Sequence, residues 1–173
     1  KDLPQFDVMD EGKMLHFGPH PCGNSVLGTN ESIAALTAEQ MRDYFGHRYA
    51  PNNMTLSCCG NFDFDALCRL AQTQCGAWQP AEADRQLSAF EGTFEKKSIQ
   101  NSNLVRQHLY LLSPAVSMQD ERRHAASLLS SIIGDTTGSR YYWALVEPAL
   151  AETAGMHCDS MDGIGAFYSY ICC

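Results

Sequence analysis

Two strand-patterned segments follow one another in this chain with only residues 98–103 between them: "LSAFEGTFEKK" at 87–97, which alternates apolar and polar side chains, and "LVRQHLYLLSP" at 104–114. A parallel pair needs a crossover of a dozen or more residues, and this gap does not supply one. The two segments are therefore expected to pair antiparallel. Helical periodicity fills much of the remaining chain, so the expected class is α+β, a mostly antiparallel sheet covered by helices on one face. The expected order is α-loop-α-β-α-β-β-α-α-β-β.

The helices announce themselves by their ends. "PQFDVMDEGKMLHF" (4–17) carries Pro4 in a first turn and a rough stripe of Phe6, Met9, Lys13 or Met14, and Phe17. "TAEQMRDYFGHRY" (37–49) opens on Thr37 and Gln40, a capping-box pattern, and places Met41, Tyr44, Phe45 and Tyr49 on one face. Asp63 is positioned to cap a helix through Gln74, with Leu67, Leu70 and Ala71 inward and Gly76 beyond the last turn. Ser117 and Asp120 open a further helix with Ala125, Leu128, Leu129, Ile132 and Ile133 as its inner face; "GDTTGS" (134–139) breaks it, and "RYYWALV" starts another that Pro148 ends. Residues 18–36 read as a long connector. "NMTLSCCG" (53–60) reads as a short strand buried on both sides, and "TAGMHC" and "GIGAFYSYICC" as two more strands joined by a turn at "CDSMDG".

With 173 residues and 45% apolar content, the chain is long enough for one ordinary domain, or for one domain and part of another. A net charge of -8 repels phosphate backbones, so nucleic acid is not an expected partner. No apolar run is long enough to span a membrane. The first residues, Lys1-Asp2-Leu3-Pro4, carry no signal peptide, and both ends read as cuts through a longer protein. The eight cysteines include two adjacent pairs, Cys58–Cys59 and Cys172–Cys173, within apolar segments. They read as reduced, buried thiols, which points to a cytoplasmic address with the periplasm as the alternative.

The stretch "HFGPHPCGNSVLGT" (16–29) gathers His16, His20 and Cys22. Zinc takes four protein ligands in a structural site, or three and a water in a catalytic one, and no fourth group lies nearby; Glu31 is far along the loop. His16 is expected to sit as a cation against the carbonyl end of a helix. H-E-x-x-H, H-x-x-E-H and G-x-S-x-G are absent. "GDTTGS" lacks the lysine of a phosphate loop, and Asp159 and Asp162 fit a hairpin turn better than a catalytic pair. No catalytic residue and no metal ligand is assigned within this chain, and its substrate-binding residues stay open.

Taken together and in order, the pieces resemble a known family. His20-Pro21-Cys22-Gly23 with Gly28, Leu36-Thr37-Ala38-Glu39 with Phe45, Tyr49-Ala50-Pro51-Asn52-Asn53-Met54, Gly60-Asn61-Phe62-Asp63 and "GDTTGSRYYWALVEPALAE" follow the insulinase/pitrilysin family of zinc metallopeptidases, which includes mitochondrial processing peptidase. The resemblance covers nearly the whole chain. It implies a half of α+β fold that pairs with a second half or subunit into a closed chamber. Residues 1–36 would be the tail of an upstream metal-bearing subregion and its connector, and 37–173 a second, non-metal subregion cut short at its end. The zinc ligands, H-x-x-E-H and a distant Glu, would precede Lys1.

The resemblance thus implies part of a zinc-dependent endopeptidase acting on peptides, inactive by itself, or else a non-catalytic scaffold or partner subunit of the same family. Where the half facing the zinc carries Arg and Tyr to hold the substrate backbone, this chain has Val146 and Glu152, against a clamping role; Arg140 is read as structural. Apolar surface left by the cut, or an edge at 164–173, is expected to make the chain self-associate.

Overall fold

The computed structural model describes residues 4–82 and 90–173. Among these, 4–28 and 90–173 form one compact unit and 29–82 another.

The first unit is built on a three-stranded antiparallel sheet. Its strands are β1 (His108–Ala115), β2 (Thr153–Met161) and β3 (Ile164–Cys172), in the order β1-β3-β2. β2 and β3 form a hairpin in which Met161 faces Ile164 across the turn Asp162–Gly163. Gly163 adopts a φ of 73°, which glycine takes at no steric cost. The Gln119 side chain fastens this turn, donating to Asp162 Oδ1 at 2.9 Å and accepting from the Gly163 amide at 3.1 Å.

Side chains alternate between the two faces of a strand, so register assigns each residue to a side. Leu112 and His157 both stand opposite Tyr168, and their face receives the helix α1 (Pro4–Phe17). Phe17, 1% exposed, packs there with Ile164, Ala166 and Tyr168, and Tyr110, Leu112, Phe90, Cys22 and Met161 close around them. Met156 and Ser169 stand on the opposite face. The helix α5 (Arg123–Gly134) covers that side, with the Gly134 backbone against Met156. The Tyr141 hydroxyl meets Ser169 Oγ at 3.1 Å on the same side. The class is the expected one, α+β on an antiparallel sheet, with helical cover on both faces where one was anticipated.

Three expectations change. Residues 90–97 are not a strand, and 87–89 lie outside the described residues, so β1 pairs with β3 rather than with its neighbour in sequence. Thr93 instead holds its segment to α1 through main-chain carbonyls. The run 164–173 is not an edge: β3 is the central strand, and the most apolar strand takes the position with a neighbour on each side. The face of α5 turned to the sheet includes Ser130 and Gly134, both buried, whereas Leu128, Leu129 and Ile132 are exposed.

The second unit holds α2 (Asn30–Ala34), α3 (Ala38–Arg48) and α4 (Phe64–Cys75). Thr37 and Gln40 form the expected capping box, the Thr37 amide donating to Gln40 Oε1 at 2.9 Å and the Gln40 amide to Thr37 Oγ1 at 3.2 Å. Asp63 caps α4 by accepting from the Ala66 amide at 3.0 Å, and Gly76 closes it. Asn52 exchanges two hydrogen bonds with the Ala81 backbone, at 2.9 and 3.2 Å.

Residues 53–60 are not the expected strand: the backbone at Met54 is extended, but among the described residues no strand pairs with this stretch. Leu56 and Cys58 instead line a shallow apolar cavity of about 350 Å³ with Phe62, Phe64, Leu67, Cys68 and Ala71 of this unit. Met41, Tyr44, Phe45 and Tyr49 of the α3 stripe are exposed, with Phe45 and Tyr49 stacked at 4.6 Å.

Candidate functional site

The polar residues singled out by sequence lie where α1 ends. Its last carbonyls lack partners within the helix, as helix termini do, and the chain turns through Gly18 into a single 3-10 turn, Pro21–Gly23. His20 caps that turn: its Nδ1 accepts from the Cys22 amide at 3.2 Å, which puts the proton of the neutral ring on Nε2.

His16 is 4% exposed, and its Nδ1 is buried without a hydrogen-bond partner. Burial holds its pKa below the ordinary imidazole value, and a hydrogen bond with the Thr93 backbone opposes the shift. The expected cation at a helix end is thus a neutral ring, because desolvation outweighs attraction to the carbonyls. The Cys22 thiol is pushed up, first by burial and then by the negative charge of Asp159. A thiol held protonated is a poor ligand and a poor nucleophile.

His16, His20 and Cys22 are therefore close in sequence but differently engaged. Among the described residues, no group of three or more His, Cys, Asp or Glu side chains is arranged to hold a metal ion. The donor set does not fit zinc: one imidazole nitrogen is taken by a cap, the other ring is packed among apolar atoms, and the thiol resists ionisation.

The remaining candidates are scattered. Asp159 faces Ala166 across the sheet and, after burial, raises the Tyr168 hydroxyl to about 12. Asp162 belongs to the hairpin turn. "GDTTGS" links α5 to a π-type turn, Tyr142–Val146, that contains Val146. Arg140 is exposed. Glu152 takes the Arg106 Nε on both carboxylate oxygens, at 2.9 and 2.8 Å. This pair and the 2.7 Å contact between His108 Nδ1 and the Tyr170 hydroxyl escaped sequence reasoning; only strand register brings such residues together.

All eight cysteines are free, but only Cys172 is buried; Cys58, Cys59, Cys68 and Cys173 are exposed, against the expectation of buried thiols. No helix among the described residues is long and apolar enough to cross a membrane.

Comparison with known proteins gives these residues a setting. The family model described as the peptidase M16 inactive domain matches residues 35–173. An uncharacterized zinc protease of Mycobacterium leprae (strain TN) is 28% identical over 182 residues, which takes in 99% of this chain and 40% of that protein. A probable mitochondrial-processing peptidase subunit beta of Schizosaccharomyces pombe (strain 972 / ATCC 24843) is 32% identical over 85 residues, 49% of this chain and 19% of its own length. The crystal structure of a peptidase M16 inactive domain from Pseudomonas fluorescens superposes with a TM-score of 0.81 at 19% identity, covering 98% of this chain and 42% of the other. A protease from Helicobacter pylori superposes with a TM-score of 0.74 at 13% identity, covering 92% and 40%. Similarity at these structural identities speaks for the fold alone. The chain spans about two fifths of the length of the Mycobacterium leprae relative.

Proposed function

The chain belongs to the peptidase M16 family as its inactive domain, and from that premise we propose that it serves as the supporting, non-zinc-binding part of a zinc-dependent endopeptidase that cleaves peptides in a closed chamber. The observation that carries this reading is the family match over residues 35–173, joined to relatives described as zinc proteases. On this reading the zinc ligands precede Lys1, and zinc supplies an activated water there. Residues 1–36 are the tail of the metal-bearing subregion with its connector, and 37–173 the second subregion. This chain's residues supply wall and packing, and no chemical step is assigned to them.

The chamber needs a second family half or subunit. The net charge of -8 favours basic peptides at long range, an attraction that added salt weakens. Alone, the chain self-associates through exposed apolar surface such as Leu128, Leu129 and Ile132 of α5. Eight free thiols suit a reducing compartment, the cytoplasm.

A non-catalytic scaffold or partner subunit of the same family is the second reading. One comparison separates the two: cleavage of a quenched fluorescent peptide by the longer polypeptide and by this chain, with and without a zinc chelator. The peptidase reading expects chelator-sensitive cleavage by the longer polypeptide and none by this chain. A longer polypeptide without an H-x-x-E-H motif, and without cleavage, would leave the scaffold reading.

A further inference from the structure

We propose that residues 90–93 form a strap latched onto the last turn of α1 by the neutral imidazole of His16, and that protonating this ring unlatches the strap. The latch has three parts. Thr93 supplies the hydrogen bonds: its amide donates to the His16 carbonyl at 2.9 Å, and its hydroxyl donates to the Leu15 carbonyl. Both acceptors are helix-end carbonyls that the helix itself leaves unpaired. Gly92 supplies the close approach. A Cβ there would stand 2.3 Å from His16 Cε1, so the strap backbone lies directly on the ring, and its φ of 82° suits glycine. Phe90 supplies the apolar contact, with its ring centre 6.4 Å from that of Phe17 and 5.7 Å from that of His20.

His16 sits at the middle of this arrangement with Nδ1 buried and unpartnered. An imidazolium carries two N–H donors and a full charge, and the closed latch offers no acceptor at Nδ1. The charged and titratable groups on the packed elements are Asp7, Asp10, Glu11 and Lys13 of α1, His20 and Cys22 of the turn, His108, Tyr110, His157, Asp159, Tyr168, Tyr170 and Cys172 on the sheet face that α1 covers, and Glu91 of the strap. The Lys13 ammonium lies 5.9 Å from the Tyr168 ring centre, Asp159 acts on Cys22, and Glu91 is exposed. What acts on His16 itself is burial, opposed by the Thr93 backbone. The sign follows: the closed state binds the proton less well than the open one. Closure is fully supported above the free imidazole value of about 6.5 and weakens as pH falls below it. This inference does not depend on the peptidase reading.

The test is hydrogen exchange at the Thr93 amide, corrected for the intrinsic rate. Its opening constant should rise from pH 6.5 to 5.5 in the unaltered chain, by at most about fivefold. The rise should disappear in His16→Phe and persist in His20→Gln. A flat profile in the unaltered chain, a rise that survives His16→Phe, or one abolished by His20→Gln overturns the proposal. Titration of the His16 ring by NMR in the unaltered chain is a second readout that does not require the variant to fold. A midpoint at or above the ordinary imidazole value also overturns it.

Discussion

Gly134 and Met156 meet without room for a methyl group: a Cβ on Gly134 would stand 2.2 Å from the Met156 nitrogen and 2.5 Å from its Cβ. This contact sets how close the end of α5 comes to β2. Alanine raises helix propensity by about 1 kcal/mol over glycine, but here the obstructing atoms are mainly backbone and cannot rotate away. Gly134→Ala should therefore destabilise the sheet unit by about 2 kcal/mol, as overpacking does. Urea denaturation checks this, and an unchanged or raised midpoint would refute the contact.

Phe17 anchors the opposite face at 1% exposure. Phe17→Ala removes a buried ring bounded by Ile164, Ala166 and Tyr168 and should cost about 3–5 kcal/mol. Phe17→Leu keeps most of the volume and should cost clearly less. Equal effects of the two in denaturant titrations would mean that the site does not behave as a packed core.

The caps of the second unit offer a local probe. Thr37→Ala and Asp63→Ala each remove a side-chain acceptor at a helix start and should each cost about 1 kcal/mol. Amide exchange should accelerate in α3 for the first and in α4 for the second, leaving protection in β3 unchanged. Loss of protection in β3 would contradict the division into two compact units.

Alkaline pH should open the aromatic face of the sheet. The Tyr168 hydroxyl is raised to about 12 by burial first and then by Asp159, and burial also raises Tyr110. The folded state holds these protons more tightly than the unfolded chain, so the associated stability is intact below pH 10 and is lost as pH rises towards 12. Ultraviolet titration should show these two phenols ionising late, together with unfolding. Tyr168→Phe should remove part of this dependence.

Much of the fold was legible because local signals agreed with the final structure. Helix 4–17, the capping box at Thr37, the cap at Asp63, the break at 134–139 and the hairpin around Asp162–Gly163 all depend on interactions within a few residues. What failed depends on distant partners. "NMTLSCCG" has strand composition but finds no paired neighbour among the described residues, and β1 pairs with β3 rather than with the segment before it. A helix stripe does not say which flank meets the sheet, so Leu128 and Ile132 were expected inside and Ser130 was not. For the candidate site, the sequence revealed the family through ordered motifs, but it could not reveal that His16 is neutral. That follows from packing against residues 92 and 93, far along the chain.

The central place of β3 orders events during synthesis. β1 and β2 both pair with β3, and β3 is translated after both of them. While the ribosome is still making Ile164–Cys172, the other two strands wait with unsatisfied backbone edges, the condition in which nascent chains recruit chaperones or aggregate. Of these three strands the one translated last is the one that both of the others require as a partner.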